Sequence, residues 1–123
     1  MKKLALSLSL AALMTACASM ATGPAKVADG VLTGPNGMTL YTFDRDTAGN
    51  GKSVCNGPCA TLWPALMAGA YDSASGDYSI ITRDDGAKQW AYKGKPLYYF
   101  SRDAKPGERT GDGFNKIWQL AKP

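Results

Sequence analysis

The stretch "GMTLYTFDRD", Gly37 to Asp46, returns 57 residues later as "GKPLYYFSRD", Gly94 to Asp103, with six of ten positions identical. In a strand, neighbouring side chains point to opposite faces. Tyr41 and Phe43 therefore share one face, with Leu40 and Thr42 on the other; Tyr98 and Phe100 repeat the pattern against Leu97 and Tyr99. Aromatic residues on one side and largely aliphatic ones on the other predict a strand that fills part of a core. Asp46 and Asp103 follow just past the strand ends, where a carboxylate can accept backbone N–H groups of the next loop in an Asx-type closure. The phrase reads as structural: two strands and two loop-pinning aspartates.

The likeness extends outward from the phrase. Trp63 follows Asp46 by 17 residues and Trp118 follows Asp103 by 15. Turns at Asn36-Gly37 and Lys93-Gly94 precede both copies. A unit of about 57 residues, present twice over roughly 27–120, predicts a pseudo-twofold domain and not an open array. The remaining signals are short strands. "KVADGVL" and "GMTLYTF" flank the turn cluster "TGPNG"; "YSIITR" and "KQWAY" flank "DDGA", where Asp85-Gly86 is a hairpin signal. Pro96 opens its strand, where a missing N–H is tolerated. "CATLWPAL" predicts one helical turn stopped before Pro64, and "MAGAYDSASGDY" a connection between copies. The expected fold is mostly β: a compact antiparallel domain over 27–121, with repeats near 27–80 and 81–121 and short helical turns. Each half is too small to bury a stable core alone, so the two should share one.

The N-terminus reads as an address. Lys2 and Lys3 precede an apolar run, Leu4 to Met14, of eleven residues. That is a signal-peptide core, too short to span a bilayer. "LMTAC" resembles a lipobox, which predicts a signal peptide over 1–16 and a lipid on Cys17. Ala16-Cys17-Ala18 also fits ordinary cleavage after Ala18. A diacylated Cys17 would hold the protein on a membrane, each buried methylene contributing about 0.8 kcal/mol. Residues 17–26 then read as a small, polar tether. The expected location is the cell envelope: an outer-membrane lipoprotein, or otherwise a periplasmic or secreted protein.

From Cys17 onward 107 residues remain, enough for one domain. Without Lys2 and Lys3, twelve basic residues face ten acidic ones, with no basic run. Nucleic-acid binding is therefore not expected. The other two cysteines, Cys55 and Cys59 in "CNGPC", form an even pair after processing, which in an oxidising envelope reads as a disulfide. A dithiol pair that cycles, or that holds Cu(I) with Met38 or Met67, is the competing reading.

Other motifs lead less far. "GNGKS", Gly49 to Ser53, has the end of a phosphate loop, but Asp46 stands where glycine is needed and would repel phosphate, so no nucleotide is expected. Asp44, Asp46 and Gly49 open like a calcium loop, but Ala48 and Cys55 fail at ligand positions. The chain contains no histidine, which removes Ser-His-Asp and Cys-His catalysis, haem attachment through Cys-x-x-Cys-His and the common zinc sites. No cofactor, metal or catalytic residue is expected. Trp63 and Trp118 recur in phase and read as core; Trp90 and Tyr92 read equally as core or as an exposed platform.

Tyr41-Thr42-Phe43-Asp44-Arg45-Asp46 and Tyr98-Tyr99-Phe100-Ser101-Arg102-Asp103 both fit Tyr-x-aromatic-x-x-Asp. With "CNGPCATLWPAL" and "PGERTGDGFNKIW" after them, the chain resembles the bacterial predicted lipoproteins with a Yx(FWY)xxD motif, also called secreted repeats of unknown function. Ala65 departs from a second proline common there. The resemblance implies export, the repeat and the lipid anchor, and no activity. The expectation is a non-catalytic binding or structural module whose partner is an envelope protein or glycan. A thiol-redox or metal-handling accessory protein using Cys55 and Cys59 is the alternative.

Overall fold

The computed structural model describes residues 23–123; the expected signal peptide and Cys17 lie outside them. Among the described residues seven short strands form in the order β1 (Lys26–Ala28), β2 (Val31–Thr33), β3 (Tyr41–Phe43), β4 (Tyr78–Thr82), β5 (Lys88–Tyr92), β6 (Lys95–Pro96) and β7 (Trp118–Leu120). One helical turn, α1 (Pro58–Leu62), precedes Trp63, with Pro58 at its start and chain direction changing before Pro64. A 3₁₀ turn, Phe114–Lys116, stands in the matching place before Trp118. The fold is mostly β and antiparallel, as the alternation indicates.

The two copies meet through their repeated strands. Tyr41 N–H donates to Tyr98 O at 2.8 Å, and Tyr98 N–H donates to Tyr41 O at 3.0 Å. Two residues exchanging both bonds mark an antiparallel pair, and a pseudo-twofold axis passes between them. Bonds on either side of it are then duplicated. Asp44 N–H donates to Ile117 O, and Ser101 N–H to Leu62 O. Ala121 N–H donates to Leu40 O, and Leu66 N–H to Leu97 O, both at 2.9 Å. Each repeat's closing segment, 62–66 or 117–121, therefore pairs with the other repeat's strand, most fully where β3 lies against β7 from Tyr41↔Leu120 to Phe43↔Trp118. On its other edge each repeated strand bonds within its own repeat, Leu40 N–H to Leu32 O and Leu97 N–H to Trp90 O, both at 3.0 Å.

The faces separate as the alternation requires, but both are buried. Tyr41, Phe43, Trp63, Tyr98, Phe100, Trp118 and Cys55 form one apolar cluster. Leu32, Leu40, Leu66, Trp90, Leu97 and Ala121 form a second on the other side. The repeated strands run between two cores.

Three details differ from the sequence reading. "KVADGVL" is not one strand: Asp29 and Gly30 both have positive φ and turn β1 back onto β2 in a two-residue hairpin. The end of the expected tether, 23–26, joins the fold. A Cβ on Gly23 would lie 2.3 Å from the Tyr78 ring, Ala25 packs on the second cluster, and Lys26 begins β1. The repeat boundary expected at 80/81 falls inside β4, which pairs with β5 from Tyr78↔Tyr92 to Thr82↔Lys88. Trp90 is core, half-buried Tyr92 lies beside it, and Tyr78 touches both rings.

Candidate functional site

The repeated motif assembles crosswise. Tyr41 O–H donates to Asp103 Oδ2 at 2.7 Å, and Tyr98 O–H donates to Asp46 Oδ2 at 2.5 Å. Each tyrosine thus reaches the aspartate of the other repeat. The second oxygen of each carboxylate faces its own loop: Asp46 Oδ1 accepts Val54 N–H at 2.8 Å, and Asp103 Oδ1 accepts Thr110 N–H at 2.9 Å together with the Thr110 hydroxyl. Both aspartates are buried. The closure is wider than an Asx turn, because the loop N–H lies seven or eight residues on, and half of each carboxylate is given to an inter-repeat bond. Burial first, then the bond to Asp103, pushes the Tyr41 hydroxyl well above its ordinary value; burial and Asp46 do the same to Tyr98.

Behind these bonds lies a ladder of rings. Trp63 and Trp118 stack face to face, centroids 3.7 Å apart and 3° from parallel. Phe43 stacks on Trp118 and Phe100 on Trp63, each at 4.2 Å. The order is Phe43, Trp118, Trp63, Phe100, alternating between repeats. Tyr41 meets Trp63 edge-on at 5.3 Å, and Tyr98 meets Trp118 edge-on at 5.1 Å. Such contacts add about 0.5–1.5 kcal/mol each beyond the area they bury.

The loops after the aspartates differ. Val54 and Thr110 hold matching bonds, so Cys55 corresponds to Gly111; Cys59 and Phe114 each precede their tryptophan by four residues. Cys55 and Cys59 are joined in a disulfide that packs on the aromatic cluster, with Cys55 wholly buried. In the second repeat Phe114 fills the equivalent place against Trp63 and Phe100. Gly111 is required there, since a Cβ would come within 2.7 Å of the Trp63 ring. Gly111 N–H donates directly to the Tyr41 hydroxyl at 3.1 Å. On the other side the Ser53 hydroxyl intervenes: with the Tyr98 proton held by Asp46, Ser53 donates to Tyr98 at 2.7 Å and accepts Cys55 N–H at 3.2 Å.

Arg83 was not marked by any sequence pattern. It is buried, in the longer hairpin loop of the second repeat, and its guanidinium donates to Cys55 O, Asn56 Oδ1, Ser53 Oγ and Gln89 Oε1. It clamps the disulfide loop onto the β4–β5 hairpin. An isolated arginine between two short polar residues gives no periodic signal of burial.

The weaker motifs are placed apart from one another. Asp44 is exposed and accepts from Gln119 Nε2 at 3.1 Å, whereas Asp46 points inward, so the two do not converge. Gly49 N–H donates to Gly94 O, and Ser53 faces Tyr98. Asp85 accepts Ala87 N–H within its own turn. Among the described residues no group of three or more His, Cys, Asp or Glu side chains could hold a metal ion. No helix there is long and apolar enough to cross a membrane.

Fold and site together define a duplicated β module whose halves are locked through a shared tyrosine–aspartate and aromatic core. The family described as "secreted repeat of unknown function" matches residues 23–67 and 79–122, and the chain belongs to it. The interval between the two matches holds the connector that joins the copies. No curated protein and no solved structure matches the chain.

Proposed function

We propose that the protein is a non-catalytic module of the cell envelope, held on a membrane by a lipid on Cys17, that binds an envelope protein or glycan. One observation supports the non-catalytic reading above others: the motif's polar groups are engaged with each other. Both aspartates and both motif tyrosines are buried and bonded inside, and no buried side-chain nitrogen or oxygen of the described residues lacks a partner. A catalytic group must be free to meet a substrate.

Contact with a partner falls to the connector between the copies. Tyr71 is fully exposed and Met67 half exposed, beside an open groove of about 500 Å³ that also touches Pro35 and Trp90. Aromatic side chains in such a position offer area at small entropic cost. The thiol-redox alternative is disfavoured by burial of Cys55 against the rings, since attacking thiolates need access.

Mass spectrometry of the mature N-terminus tests the anchor: a diacylated Cys17 is expected, and an unmodified start at Ser19 would remove it. Binding is tested by sedimenting the mature protein with purified sacculi and by crosslinking from position 73, in the same groove, in intact envelopes. Loss of both signals in Tyr71→Ala is expected, and wild-type levels of both in that variant would reject the connector as the contact. A Cys55–Cys59 potential below about −300 mV is expected of a structural bond. A value near those of the dithiol oxidants would favour the redox reading.

A further inference from the structure

We infer that the crossed tyrosine–aspartate pairs and the ring ladder between them form a reversible one-electron store, in which each half of the molecule can hold one oxidising equivalent.

The inference rests on three features that a packed core does not need in combination. The first is the continuous stack of Phe43, Trp118, Trp63 and Phe100, with the two indoles 3.7 Å apart and parallel within 3°. Two indoles in that geometry share a missing electron across both rings, which makes the pair easier to oxidise than either alone. The second is that each indole touches one tyrosine edge-on, at 5.3 Å and 5.1 Å. The third is that each of those phenols already points its proton at a buried carboxylate, at 2.7 Å and 2.5 Å.

Oxidation of a phenol is costly when the electron leaves before the proton, because the radical cation so formed is high in energy. Here the acceptor is in place. An outer-sphere one-electron oxidant removes an electron from the stack, and the tyrosine refills it. As the electron leaves, the phenolic O–H bond breaks and an O–H bond forms on the aspartate. Tyr–OH with Asp–COO⁻ becomes Tyr–O• with Asp–COOH, and the oxidant is reduced by one electron. The carboxylate's negative charge favours the positive charge passing through the rings in a medium of low dielectric. A one-electron donor reverses the step, with the proton returning from the acid to the phenoxyl oxygen over the same bond.

The stack has an edge toward solvent. Phe114 is half-buried and touches both Trp63 and Phe100, so an oxidant at that surface is in ring contact with the ladder. The pseudo-symmetry supplies the store twice. Its chemical counterpart is any outer-sphere one-electron oxidant or radical that a protein outside the cytoplasm meets.

Flash photo-oxidation of the purified mature protein by ruthenium tris(bipyridine) with persulfate, followed by freeze-quench electron paramagnetic resonance, tests the inference. A tyrosyl radical is expected in the wild type at neutral pH and unchanged in Tyr71→Phe, which removes the most exposed phenol. In the Tyr41→Phe/Tyr98→Phe double variant the tyrosyl signal should be lost and an indole radical should replace it. Asp46→Asn/Asp103→Asn should likewise leave the charge on the indoles. Near-ultraviolet circular dichroism reports whether the doubles are folded; if one is not, each single Tyr→Phe variant should halve the signal. The wild-type signal should also form more slowly in D₂O. A tyrosyl signal that vanishes in Tyr71→Phe, that survives in the folded Tyr41→Phe/Tyr98→Phe double, or that shows no loss in the single variants overturns the inference.

Discussion

The two repeats hold the same scaffold by different means. In the first, the loop after Asp46 is closed by the Cys55–Cys59 disulfide and clamped by buried Arg83, with Ser53 inserted between Tyr98 and the backbone. In the second, the loop after Asp103 has no covalent closure. Phe114 occupies the disulfide's place, Gly111 lets the backbone reach Tyr41 directly, and Glu108 caps the loop through Ala104 N–H. Arg109, the counterpart at the loop surface, reaches Asp29 O at 3.0 Å from an exposed position. The Tyr–Asp crossing and the ring ladder are kept on both sides, while the loops diverge around them. The lesson is that the inter-repeat lock fixes the fold and the loop closures are interchangeable.

That comparison can be broken at several strengths. The largest effect belongs to the ladder. Trp63→Ala and Trp118→Ala should each cost about 3–5 kcal/mol in urea unfolding, and nearly equally, because each indole contacts both repeats. A large inequality would show that one repeat carries the core. Asp46→Asn and Asp103→Asn should follow, each leaving at least one buried partner mismatched at about 1–3 kcal/mol per group. Opening the disulfide with Cys55→Ala/Cys59→Ala removes a closure worth roughly 2 kcal/mol in the chain-entropy account. Hydrogen exchange should then rise around Ser53–Trp63 and remain unchanged at Thr110–Phe114. The finest distinction concerns the hydroxyls. Tyr41→Phe strands Gly111 N–H, whereas Tyr98→Phe leaves Cys55 N–H bonded to Ser53, so the first should be the more destabilising by about 1 kcal/mol.

The same hydroxyls set an alkaline limit. Both have folded pKa values raised above the unfolded value near 10. Above pH 10 the unfolded chain therefore binds fewer protons than the folded one, and stability falls as pH rises. It is fully present below about pH 10 and lost progressively beyond it. Denaturant midpoints taken from pH 8 to 11.5 should show that decline, and Tyr41→Phe should flatten it.

Much of the fold was legible because alternation is local. The pattern Leu40-Tyr41-Thr42-Phe43 and its copy place two faces without reference to anything distant, and the helical turn before Trp63-Pro64 follows from proline chemistry. The in-phase spacing of Trp63 and Trp118 marked both as core. What sequence could not yield was which tyrosine bonds to which aspartate. A repeat says that two segments are alike, and a tyrosine bonded to its own aspartate or to the other copy's leaves the same trace in sequence. The expected Asx closure at Asp46 missed the Tyr98 hydroxyl for that reason. The Asp29-Gly30 hairpin was readable by the rule applied at Asp85-Gly86, but its strands are only three residues long, too short to show alternation. Trp90 was ambiguous because burial on the second face depends on Leu32, Leu40 and Leu97 arriving from elsewhere.

The crossing itself is tested most directly by double-mutant cycles in urea. The pairs are Tyr41→Phe with Asp103→Asn and Tyr98→Phe with Asp46→Asn, set against the same-repeat pairs Tyr41→Phe with Asp46→Asn and Tyr98→Phe with Asp103→Asn. The inter-repeat pairs should show coupling of about 0.5–3 kcal/mol and the same-repeat pairs should be additive within about 0.5 kcal/mol. Coupling confined to the same-repeat pairs, with the crossed pairs additive, would contradict the lock between repeats.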